Sequence, residues 1–157
     1  MSGPFPRILG HDHAREGLWR SMIEGRLHHA ILIQGLQGVG KRTLAETVGR
    51  TLVCEAPLQG PCEVCSHCRR TAENIHPDFV ILGREAVLGI DDELIAHGDD
   101  RASKRKERVG KMIDVDYMRL LGTWLTKRSW EAARRVAVIV DAERMNESGA
   151  NAFLKSL

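Results

Sequence analysis

The stretch that most constrains how this chain can fold is Gly35-Leu-Gln-Gly-Val-Gly-Lys-Arg-Thr43. An apolar run precedes it, and Ala30–Gln34 reads as a first buried strand. A helix is expected after it, from Leu44 to Leu52, with Leu44, Val48, Leu52 and Val53 along one side. Strand, glycine-rich turn and helix together form the setting of a phosphate loop. Gly35, Gly38 and Gly40 would let backbone N–H groups converge on phosphate oxygens, and the helix N-terminus adds its positive end. Lys41 would direct its charge at the outer phosphates. The next position normally carries a Ser or Thr hydroxyl for Mg²⁺. Here it is Arg42, with Thr43 displaced by one. The pattern predicts a phosphate-loop fold with a damaged hydrolytic site.

A second strand tests that expectation. Val136-Ala-Val-Ile-Val140 is continuously apolar, as suits the middle of a parallel sheet covered on both faces. A hydrolytic site places an acid for Mg²⁺ at the end of such a strand, often with a glutamate after it to position water. Here the strand ends in Val140-Asp141-Ala142, with Glu143 two residues past Asp141. If Asp141 is the metal acid, the glutamate has become Ala142. If Asp141 fills the glutamate position, Val140 has replaced the metal acid. Either register leaves the site incomplete, so no catalytic residue is assigned.

The four cysteines, Cys54, Cys62, Cys65 and Cys68, fall within fifteen residues. Zn²⁺ takes four ligands tetrahedrally, and thiolates separated by two intervening residues can share one ion without strain. Four thiols leave no open position for water, so a structural Zn²⁺ module is expected over 54–68. The other readings are four reduced thiols without metal, or His67 in place of one cysteine. A redox pair would need a thioredoxin-like setting, which is absent. His28 and His29 read as turn residues, and His76 before Pro77 as the residue that orders a turn.

The remaining segments fill out an α/β class with a parallel sheet. Residues 3–10 read as a turn-rich lead-in, and His11 to Glu24 as a helix with Ala14, Leu18 and Met22 on one side. His76 to Leu82 is a turn leading into a buried strand. Residues 83–111 lose periodicity and become charged, with six basic residues from Arg101 to Lys111. They read as a solvated, partly disordered insertion, with a nucleic-acid contact as the sharper alternative. Asp114 or Asp116 could cap a helix running from Tyr117 to about Lys127, and a last helix starts near Glu147. It runs to Leu157 without a C-cap residue, which suggests a longer parent protein. Hydrophobic content of 43% with 28% charged residues suits one core-forming domain, and a net charge of +2 singles out no partner. No signal segment or membrane-length apolar run occurs, so a cytoplasmic protein is the default.

Taken in order, these residues resemble the clamp-loader subunits of bacterial DNA polymerase III, of the AAA+ class. The resemblance rests on Ile8-Leu-Gly-His11, Gly25 to Gly35, Gly38-Val-Gly-Lys41 and the four cysteines after the loop helix. It continues through His76-Pro-Asp78, Ile113 to Asp116, Glu143-Arg-Met-Asn146 and Asn151-Ala-Phe-Leu-Lys155. The charged insertion at 83–111 is less typical. Two kinds of subunit compete: gamma/tau, which hydrolyses ATP, and delta-prime, whose nucleotide site is commonly decayed. Arg42 and Val140-Asp141-Ala142 fit the delta-prime kind. Spacing to Asn151 places Asp141 on the glutamate position of the family.

The resemblance implies that 1–157 is an N-terminal AAA+ domain, incomplete at its C-terminus. It implies a stator role in ATP-driven loading of the sliding clamp, with ATP and Mg²⁺ turned over by sibling subunits. The implied partners are gamma/tau and delta in a hetero-pentamer, the clamp, and primer-template DNA through the assembly.

Overall fold

The structure, a computed structural model, describes residues 3–83, 86–87 and 115–155. Its elements are α1 (Asp12–Ile23), α2 (Lys41–Val53), α3 (Ser66–Ala72), β1 (Phe79–Gly83) and β2 (Ala86–Val87). They continue with α4 (Val115–Thr126), β3 (Val136–Ile139), a 3-10 turn (Ala142–Arg144) and α5 (Glu147–Leu154). Most of the charged insertion expected at 83–111, along with Asp114 and the Asp116 side chain, lies outside the described residues.

β1 is central in the order β2-β1-β3. It runs parallel to β3, with Phe79 opposite Val136 and Leu82 opposite Ile139, and antiparallel to β2. Side chains on a strand alternate between faces. Val80 and Leu82 therefore meet Met118, Leu121 and Trp124 of α4, with Ala137, Ile139 and Phe153 packed around them. Phe79 and Ile81 face the other way, joining Val138 and Val53 of α2. A parallel pair covered on both sides explains why both strands read as unbroken apolar runs. A third cluster lies on the far side of α2. There Phe5 and Ile8 of the lead-in and Leu18, Trp19 and Met22 of α1 pack on Leu44 and Val48. Buried Arg15 fastens the lead-in by donating to the Pro4 and Gly10 carbonyls and to the Asp12 carboxylate.

α2 approaches the sheet closely at one point. A Cβ added to Gly49 would lie 2.8 Å from Phe79 Cε2 and 3.1 Å from Val138 Cγ2. Overfilling a packed core costs about 1–3 kcal/mol. Gly49→Val is therefore expected to lose roughly 3 kcal/mol in a urea titration. Gly49→Ala should lose less, since about 1 kcal/mol of helix propensity is regained. A Gly49→Val chain as stable as the parent would show that this contact is loose.

One expected element is not seen. Ala30–Gln34 makes no sheet pairing among the described residues, and Ile31 and Leu32 are 42% and 71% exposed. An apolar run becomes a buried strand only when a neighbouring strand takes up its backbone groups. Among the described residues β3 is paired with β1 alone. Of this run, Ile33 packs inward, against the cluster beneath α2.

Candidate functional site

Two elements converge on the cysteines. Cys54 caps the end of α2, and Cys65 caps the start of α3, its Sγ accepting from the Cys68 backbone N–H. The loop between them turns through Glu63, whose left-handed φ of 63° lets the chain double back between Cys62 and Cys65. The four Sγ atoms lie within 4.8 Å of one another. Cys54 and Cys65 are 4.0 Å apart, and Cys62 and Cys68 are 3.9 Å apart.

A disulfide holds its sulfurs at about 2 Å, so these are free thiols. A tetrahedral ion with metal–sulfur bonds of about 2.3 Å would hold them about 3.8 Å apart, close to what is observed. Backbone N–H groups already point at three of the sulfurs: Cys62 N at Cys54, Cys65 N at Cys62, and Cys68 N at Cys65. Such donors favour thiolates. N–H groups of Val64 and Cys65 pull the Cys62 thiol down to about 6, whereas burial pushes Cys54 and Cys68 up. The donor set and spacing fit a closed metal centre with four sulfur ligands.

His67 is not part of that set. It belongs to a buried relay that the sequence did not disclose. The Asp78 backbone N–H donates to His76 Nδ1 at 2.9 Å, which makes Nε2 the protonated nitrogen of a neutral His76. His76 Nε2 then donates to His67 Nδ1 at 2.6 Å, and His67 Nε2 lies 3.3 Å from Glu55 Oε1. His76 thus orders the turn before β1, as expected from its place before Pro77.

At the head of β1, the fully buried Asp78 carboxylate accepts from the backbone N–H groups of Trp130, Glu131 and Ala132 at 2.8–3.0 Å. Arg135 Nε is 3.5 Å away, an ion pair rather than a hydrogen bond. Burial raises the Asp78 carboxyl, but the three N–H groups and Arg135 outweigh it and hold the group below its ordinary value. Sequence reasoning could have suspected Asp78, an acid placed just before a buried strand. Its partners lie 52–54 residues away, and nothing in the sequence pointed to them.

The glycine stretch forms a turn entering α2. Gly38 and Gly40 take left-handed φ values of 81° and 88°, which only glycine adopts easily. Lys41 Nζ donates to the carbonyls of Gly35 and Leu36 at 2.9 and 2.8 Å. Arg42 pairs with Glu46 one turn along α2, at 2.6 Å. Thr43 is exposed, its carbonyl accepting from Thr47. Asp141 stands just past β3 in a left-handed conformation with φ 56°. Val140 still donates to the Leu82 carbonyl, extending the ladder by one bond. The structure gathers the cysteines into one centre; among the described residues it records no bond between Asp141 and the glycine turn.

The family described as DNA polymerase III, delta subunit, matches residues 10–157. The chain belongs to this family. A DNA polymerase III subunit delta' of Pseudomonas aeruginosa is 33% identical over 91% of the chain, and that of Escherichia coli K12 is 31% identical over 90%. A DNA polymerase III subunit tau of Escherichia coli is 30% identical over 56% of the chain. The chain spans 38% and 36% of the length of the two delta' relatives. The two delta' matches thus extend over far more of the chain than this tau match.

Proposed function

We propose that the chain is the N-terminal AAA+ domain of a delta'-type clamp-loader subunit of bacterial DNA polymerase III, with a phosphate-loop fold and a degenerate ATP site. Its role is that of a stator in ATP-driven loading of the sliding clamp onto primed DNA. The observation that carries this reading is the extent of the delta' matches, reinforced by Arg42. That residue stands where a magnesium-holding hydroxyl belongs, and its side chain is committed to Glu46. Val140-Asp141-Ala142 offers one acid where two are needed. Gamma/tau and delta subunits, the clamp and primer-template DNA are the partners this role requires, in the bacterial cytoplasm. No described helix is long and apolar enough to cross a membrane.

Residues 54–68 form the zinc-binding module in this reading. A four-thiolate Zn²⁺ has no vacant position for chemistry, so its contribution is structural. The proposal includes an incomplete domain: the Ala30–Gln34 run and the outer edge of β3, both unpaired among the described residues, would be joined by a strand that the described residues do not supply.

ATP turnover is the direct test. The chain is expected to hydrolyse ATP at background rate, and Lys41→Ala is expected to change nothing. Turnover that falls at least about tenfold on Lys41→Ala would establish the alternative, an ATP-hydrolysing gamma/tau-type subunit in which Thr43 or water serves Mg²⁺.

A further inference from the structure

The chain has three tryptophans, and two are used in packing. Trp124 is buried with Arg135 stacked over its ring at 4.8 Å, and Trp19 meets Phe5 edge-on. Trp130 is different: it is 72% exposed. It does not sit on a loose loop, because its own N–H and those of the next two residues are held by the buried Asp78 carboxylate. A large apolar ring is thus presented to solvent on a backbone already fixed in place.

Its surroundings indicate what it could receive. Its neighbours Ser129, Ala132 and Ala133 are small, and the side chain is largely in solvent. Arg128 and Arg134 flank the segment and are exposed, and among the described residues neither forms an ion pair. The nearby acid, Glu131, is bound to Arg70, which holds its carboxyl ionised. From Thr126 to Arg135, Trp130 is the single exposed large apolar side chain. An anchor for a protein partner is usually ringed by further contacts that exclude water. A nucleobase needs only a free aromatic face and cations near enough to meet the phosphates on either side.

We propose that the Arg128–Arg134 loop is a contact for single-stranded DNA, with Trp130 stacking on an unpaired base and Arg128 and Arg134 meeting its flanking phosphates. The loop shares no residue with the charged insertion or with the four cysteines. It does not depend on the clamp-loader role, because the isolated chain is what is measured.

The experiment titrates a labelled oligothymidylate into the 157-residue chain at low salt, reading tryptophan emission and label anisotropy. Binding should quench the solvent-exposed indole. Trp130→Ala should weaken binding roughly tenfold, while Trp130→Phe, which keeps a stacking face, retains most of it. Arg128→Ala and Arg134→Ala should each lower affinity and reduce the salt slope by about 0.7. Unchanged affinity in Trp130→Ala overturns the proposal, as does an absence of binding. Equal binding of a blunt duplex without quenching overturns it too. A Trp130→Ala chain that keeps oligothymidylate but loses a gamma-type subunit would make Trp130 a protein anchor instead.

Discussion

Cys65→Ser is expected to lower the thermal midpoint of the chain by about 6–12 °C, which corresponds to roughly 3 kcal/mol for a protein of this size. Serine is a good helix cap, so the cap that Cys65 gives α3 survives the change. What is lost is one of four thiolates around the proposed Zn²⁺, whose binding energy would be folding energy. A chelator should reproduce the loss in the parent and add little to the variant. Elemental analysis should find one zinc per parent chain. A metal-free chain whose midpoint ignores both chelator and Cys65→Ser would refute the zinc reading.

Asp78→Ala is expected to be as damaging, at about 3–5 kcal/mol, by a different route. It removes the acceptor of three backbone N–H groups and leaves the buried Arg135 guanidinium beside no carboxylate. Asp78→Asn, which keeps one oxygen, should lose less. The same group predicts an acid response. Its folded value lies below the ordinary 3.8, so its stabilisation is complete above that pH and is lost as pH falls through the folded value. His76 adds an earlier window. Burial, then His67, hold its value below 6.5, so the unfolded chain takes up a proton first and stability declines as pH drops below 6.5. Urea titrations across this range should show both phases in the parent, and in Asp78→Ala only the upper one. An Asp78→Ala chain with the parent's acid profile would sink this account.

What could be read from the sequence was what is local. The apolar periodicity of α1, α2 and α4 and the unbroken runs of β1 and β3 follow from neighbours a few residues apart. So does the cysteine spacing, since two cysteines three apart in sequence must be close in space. α3 was hidden because its helix starts at a cysteine and lasts only seven residues. The strand expected at Ala30–Gln34 failed because pairing is a property of two segments, and one apolar run cannot specify its partner. Asp78 with Trp130–Ala132, and His67 with His76, escaped for the same reason. Their meaning arises only when the chain returns to the head of β1.

The unpaired edge of β3 has a consequence for handling the protein. Its outward N–H and C=O groups are a template for any extended apolar segment, and Ile31 and Leu32 stand exposed on every copy. Among the described residues no strand pairs with that edge, so an apolar run lent by another copy would find it open. Self-association of that kind would compete with folding and make the apparent midpoint a function of protein concentration rather than a constant of the monomer.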